Sequence, residues 1–209
     1  MFAQDRDLLI HEPNMHREVS WLGQRLVSGS ANISGTTLTA TSASADFDDA
    51  GVGAGSVVVV DGVALEVVSR IDADELEVSV VRGSVEDGAI GPGDATGCPF
   101  EVFSFAPQRS IVHGQVLRML GIEEGESPGE ADITNPEAFT RFEAFGALHL
   151  IWSSASASSG PDSPRGMLAE EYRRRFERER QRVAARIDLD GDGEPDATRR
   201  PNVLRFIRE

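Results

Sequence analysis

Apolar positions follow a helical period at both ends of the chain and a strand period in the middle. Over residues 14–27, Met15, Val19, Leu22 and Leu26 share one face with Trp21 beside them, which predicts a helix of about three turns. Residues 5–13 read as an extended entry, with Pro13 placed where a helix can begin. From residue 28 the period shortens. Runs at 34–40, 56–60, 64–69 and 75–81 are rich in Val, Thr and Leu and are separated by Gly and Asp turns. With 99–105, which alternates around Phe100 and Val102, they predict an all-β module of about five strands. Asp61-Gly62 between two such runs signals a two-residue hairpin. The glycines of 46–55 read as turn glycines within a polar loop, because no helix follows them as a phosphate loop requires.

From residue 107 the helical period returns. Ile111, Val112, Leu117 and Leu120 form an apolar band that Gly121 stops, and 122–134 follows as an acidic, outward-facing loop. Asn135-Pro136 reads as a helix start, with Asn as the cap. Phe139, Phe142, Phe145, His149 and Trp152 then recur every three or four residues, which marks 136–157 as the central core helix. After a small-residue linker, Leu168, Tyr172, Phe176 and Val183 stripe a charged helix over 165–187. An acidic turn at 188–196 and a short apolar tail at 203–207 end the chain. The expected fold class is α+β: a helical bundle (1–27 and 106–209) carrying an inserted small all-β module (28–105), with an extended C-terminal tail.

Composition narrows the function. The net charge of -15 opposes a protein that coats nucleic acid, since a phosphate-binding surface must be positive or carry a large basic stripe. All 20 basic side chains are Arg, which offers planar forks suited to bidentate pairing. The single Cys98 excludes an intramolecular disulfide framework and a cysteine-based zinc cluster. No apolar run reaches the roughly 18 residues of a membrane span and no secretory signal is present, so a soluble protein without membrane contact is expected.

Candidate chemistry is sparse. The histidines His11, His16, His113 and His149 are scattered, no serine lies in a nucleophile elbow, and nothing selects a pair of carboxylates for acid-base work. The expectation is that the protein is not an enzyme and carries no cofactor. Asp188, Asp190, Asp192, Gly193 and Glu194 match the first half of a calcium loop, with Asp196 at the ninth position. Arg199 stands where a helix-hand loop places its bidentate Glu, and Pro195 interrupts the backbone. Two readings follow: a structural Ca²⁺ on Asp188, Asp190, Asp192, Glu194 and Asp196, or a metal-free turn whose carboxylates pair with Arg199, Arg200 or a neighbouring subunit.

The run at 173–182 alternates Arg with Glu, so pairs such as Glu170 with Arg174 and Glu171 with Arg175 can form along the helix. The face reads as self-paired and solvated, as an interface through Arg174, Arg175, Arg178 and Arg182 that grips carboxylates of a partner, or as a contact with a threaded DNA duplex, which the global charge opposes. Arg199, Arg200, Val203, Leu204, Phe206 and Ile207 form a second candidate docking segment.

Three stretches, 6–27 (RDLLIHEPNMHREVSWLGQRLV), 34–62 (SGTTLTATSASADFDDAGVGAGSVVVVDG) and 135–200, make the chain resemble the head-tail adaptor (connector or neck) proteins of tailed bacteriophages and prophages. The resemblance implies a homo-oligomeric ring, typically of twelve copies, docked beneath the portal protein and joined below to a neck or tail protein. Genomic DNA would pass through its lumen without sequence-specific binding. It implies a location in the virion neck, reached from the host cytoplasm during assembly. The segments 107–121, 136–157 and 165–187 would correspond to the adaptor's helical bundle, and 199–209 to the tail that reaches the portal. The β module departs from the minimal, nearly all-helical adaptors. A tail-completion or tail-terminator protein and a calcium-stabilised binding module are the competing readings.

Overall fold

In the computed structural model, described for residues 1–201 apart from Glu124 and Glu126, the chain forms two compact units. One comprises Gln4–Ala106; the other joins Met1–Ala3 to Pro107 and the chain that follows.

The first unit is built on six antiparallel strands: β1 (Arg25–Ser34), β2 (Thr37–Ala43), β3 (Val57–Val60), β4 (Val63–Arg70), β5 (Glu75–Ser79) and β6 (Ala95–Phe103). They close into a barrel in the order β1-β2-β5-β4-β3-β6, with β6 bonded to β3 on one side and to β1 on the other. Closure needs bent strands. Register shifts at Ser30/Ala31 and at Val67/Ser69 supply the bends. Gly29 stands beside the first of them, where a Cβ would run into the Ser42 carbonyl. The turn between β3 and β4 is the expected one: Asp61 and Gly62 have φ of 48° and 79°, the two left-handed positions of a tight hairpin.

Val27, Ala31 and Ile33 of β1, Leu38, Val58, Val60, Leu65, Val67, Leu76, Val78, Phe100 and Val102 fill the barrel. Phe47 and Val52, from the loop read as polar, join them, with the Phe47 and Phe100 ring centroids 5.7 Å apart. Each such large side chain stabilises the unit by roughly 1.5–3 kcal/mol through burial.

Two expectations fail at the start of this unit. Residues 5–13 hold a helix, α1 (Asp5–His11), whose first turn is capped by the Gln4 N–H donating to Asp7 Oδ2 at 2.7 Å. The predicted helix over 14–27 is cut to a single turn, α2 (Met15–Glu18), then a 3-10 turn at Leu22–Gln24 and β1. Met15 and Val19 are buried as the helical face required, but Leu22 is 75% exposed while Val27, Ala31 and Ile33 are buried on a period of two. Helical spacing at 22 and 26 was coincidental. Pairing with β6, some seventy residues away in the chain, decides this stretch.

The expected fold class is therefore overturned. The β part is a closed six-stranded barrel that forms a unit of its own with two short helices, and not a small module inserted into a helical bundle.

The second unit contains α3 (Ala106–Met119), α4 (Thr140–Ala155), α5 (Pro164–Arg180) and a two-stranded hairpin, β7 (Ala185–Ile187) with β8 (Ala197–Arg199). The aromatic stripe lies at its centre as expected: Phe139, Phe142, Phe145, Leu148, Ile151 and Trp152 are buried. Phe142 stacks on Phe176 of α5, with centroids 4.4 Å apart and planes 12° apart. Gly146 permits this approach, because a Cβ there would come within 2.6 Å of Val112 Cγ1 and 2.9 Å of the Phe176 ring.

Asn135 does not cap the helix that follows it. Its side chain instead accepts from Arg186 N–H at 2.8 Å and donates to the Ala184 carbonyl at 3.0 Å, tying 132–135 alongside β7. The loop expected to face outward over 122–134 is anchored by buried Ile122 and Ile133. The helix predicted to reach residue 187 ends at Arg180, because Val183, Ala185 and Ile187 turn inward to join the core.

Candidate docking surfaces

α5 begins at Ser163, whose hydroxyl accepts the Gly166 N–H at 3.1 Å, and continues from Pro164 in the first turn. It buries Gly166, Ala169 and Tyr172 and packs Phe176 against Phe142, and apart from Met167 most of its remaining surface is charged. Arg173 forks Glu170 with two 2.8 Å bonds and reaches Glu177 at 2.8 Å. The two pairs read from sequence are present, Arg174 to Glu170 at 3.1 Å and Arg175 to Glu171 at 2.8 Å. The hydrogen bond from Arg173, helped by Arg174, holds the Glu170 carboxyl down at about 2. Bonds of this exposed kind contribute little to stability, because water solvates both charges nearly as well.

The C-terminal half of α5 is organised differently. Arg141 of α4, which nothing in the sequence flagged, lies across from it and pairs with Glu179. Arg182 approaches the same carboxylate at 3.6 Å, and Arg178 approaches Glu171 at 3.6 Å beside Arg175. Four guanidiniums thus share two carboxylates around a cleft of about 420 Å³. Phe145 lines it, with the Arg141 and Arg175 guanidiniums each 5.9 Å from its centroid.

Arg199, expected at a subunit interface, caps a helix of its own unit: Nη1 donates to the carbonyls of Leu120 at 3.2 Å and Gly121 at 2.7 Å, beyond the C-terminus of α3. Arg200 is exposed. Val203, Leu204, Phe206 and Ile207 lie outside the described residues.

The acidic turn joins β7 to β8. Asp188 accepts N–H groups from Asp190 and Gly191 at Oδ1 and from Gly193 at Oδ2, and the bonds from Gly193 and Gly191 hold its pKa below the ordinary value. Gly191 and Gly193 sit at φ of 81° and 88°, which aims those N–H groups inward. Asp190 and Asp192 accept from Asp192 and Glu194 two residues on. Pro195 does not break the loop: Asp196 N–H donates to Ile187 O at 2.9 Å, and its Oδ2 accepts from Leu189 N–H at 2.8 Å. Because a hairpin replaces the second helix of a helix-hand site, the chain returns within nine residues, and the missing twelfth-position Glu is no test of the loop. Carboxylate oxygens of Asp188, Asp190 and Asp196 lie within 4.8 Å of one another; Asp192 and Glu194 stand outside that triad.

One polar cluster was invisible in the sequence. His113 of α3 bridges buried Glu143 of α4, at 2.9 Å from Nδ1, and Glu130, at 3.0 Å from Nε2. Glu143 also accepts the N–H groups of Phe2 and Ala3, and the Phe2 ring meets the imidazole edge-on at 4.8 Å. The hydrogen bond to Glu143 raises the His113 pKa, burial works against it, and Glu130 adds to the rise. The available signal was a lone Glu143 on a helix that is apolar on nearly every side.

No helix among the described residues is long and apolar enough to cross a membrane. Compared with known protein families, curated proteins and solved structures, the chain matches none.

Proposed function

We propose that this chain is a structural assembly protein, a head-tail connector whose copies form a ring between a portal protein and a neck or tail protein. The observation that carries the reading is exposed charge of both signs within one unit: a cluster of arginines from α4, from α5 and from the residues just after it, and the carboxylates of the acidic turn at 188–196. A closed ring needs two different, complementary patches on every subunit, and exposed groups of opposite charge meet that need. The resemblance over 6–27, 34–62 and 135–200 supplies the expected partners and the twelve-fold count. Net negative charge also suits a channel for DNA, because phosphates slide past a surface that repels them.

The test is co-expression with the portal and neck proteins of the same genome, should it encode them, followed by electron microscopy of the purified assembly. A ring seated on the portal supports the connector. A chain that leaves the portal bare and caps the tail supports the tail-completion reading, and one that joins neither rejects both.

A cation-stabilised module is the second reading, favoured by the gathering of Asp188, Asp190 and Asp196 at the hairpin tip. Calorimetric titration with Ca²⁺ separates the two. Micromolar binding accompanied by a higher Tm supports a structural ion, and neither effect leaves the turn metal-free.

A further inference from the structure

The geometry points to the cleft between α4 and α5 as the receptor for the acidic hairpin tip, 188–196, of a second copy of this chain. The inference rests on the connector reading and names the contact between neighbours. Its cationic side holds two loosely engaged arginines: Arg178 and Arg182 approach Glu171 and Glu179 at 3.6 Å, carboxylates that Arg175 and Arg141 already bond. Arg175 is already engaged: its Nε bonds Glu171 at 2.8 Å, and its guanidinium lies 5.1 Å from the Tyr172 centroid and 5.9 Å from that of Phe145. Arg178 and Arg182 are 62% and 70% exposed and only loosely paired, so they can turn to a new partner without breaking a close bond.

The complementary surface is in the same unit. Asp188, Asp190, Asp192, Glu194 and Asp196 place five carboxylates in nine residues, all exposed except half-buried Asp188. From the described residues, Asp190, Asp192 and Asp196 each accept one loop N–H, against about four acceptor sites on a carboxylate. A narrow two-stranded tip can enter a cleft where a flat surface cannot, and guanidinium forks match carboxylates in pairs. Tip into cleft is a head-to-tail contact, the kind that closes a ring. A DNA backbone could present anions to the same arginines, but the net charge of -15 disfavours a polyanion.

Two charge-reversed proteins test this: Arg178→Glu with Arg182→Glu, and Asp190→Arg with Asp192→Arg, each checked for folding by circular dichroism. Sedimentation velocity at low salt should show self-association of the native chain, weakened about tenfold or more in either variant alone. An equimolar mixture should restore it, since each reversed surface then meets its complement and each native surface meets a native one. A mixture as dissociated as its components, or a native chain that stays monomeric at every concentration, overturns the inference. So does loss of duplex DNA binding in the cleft variant with self-association unchanged. The portal imaging judges the connector reading independently of these outcomes.

Discussion

The two units use charge in opposite ways. In the barrel unit a carboxylate that is fully buried, Glu66 on β4, is saturated from within: Arg6 Nε lies 2.6 Å from Oε2, and Arg82 bonds Oε1 through its side chain and, at 3.2 Å, its backbone N–H. Arg6 also donates to Arg82 O, and Arg82 to the carbonyls of Val85 and Asp87, so α1 and the segment after β5 are both fastened to β4. In the helical unit most charge sits outside, on α5, where carboxylates are shared and guanidiniums remain solvated. Buried charge holds a fold by the cost of leaving it unpaired; exposed charge holds little and stays available to a partner.

Each unit carries one of the two tryptophans, Trp21 in the barrel unit and Trp152 in α4, so single-tryptophan variants report each separately. The largest effect should come from Glu66→Gln, which removes the charge shared by two buried guanidiniums, leaving Arg6 only its 3.4 Å pair with Asp7, and should destabilise the barrel unit by about 3–5 kcal/mol in urea unfolding followed at Trp21. A loss no greater than that of a surface substitution would break the contrast between the units. Next, Gly146→Ala forces a methyl between Val112 and Phe176 and should lower the stability read at Trp152 by about 1–3 kcal/mol, leaving the Trp21 transition in place.

A smaller effect should appear with pH. The folded pKa of His113 lies above its ordinary 6.5, so the charged imidazole binds its proton more tightly in the folded chain. That stability is fully present below 6.5 and is lost as pH rises through the folded pKa. Unfolding followed at Trp152 should therefore weaken from mildly acidic to mildly alkaline pH, and His113→Gln should flatten that slope. An equal slope in the variant would assign the dependence to other groups. The smallest effect belongs to Arg173→Ala, which removes the best-formed fork on α5 and should leave the Trp152 midpoint unchanged. A measurable drop would show that this surface serves the fold as well as its partners.

Much of the local structure is legible in the sequence. The tight turn at Asp61-Gly62, the valine strand before it, the aromatic core of α4 and the pairs of Glu170 and Glu171 on α5 all depend on residues at most a few positions apart. The candidate surfaces were legible only in part. Arg175 and Arg178 could be placed on a helix, but not beside Arg141, which belongs to another element, and Arg182, expected on the same helix, lies just beyond its end. The acidic turn could be read as a ligand loop, but its ninth-position Asp196 gained its place only when β7 and β8 paired. His113 and Glu143 stand 30 residues apart, and Glu66 and Arg6 stand 60 apart, so no spacing rule could join them.

The stretch 14–27 shows the limit most plainly. Its side chains satisfied a helical period, yet β1 starts within it because a row of backbone bonds to β6 closes the barrel and buries Val27, Ala31 and Ile33 together. Periodicity records which side chains seek burial along one element, and that much is written in the chain. Which backbone lies opposite is decided by contacts between distant segments, and on those contacts depended the barrel, the paired buried charges and the cleft of arginines.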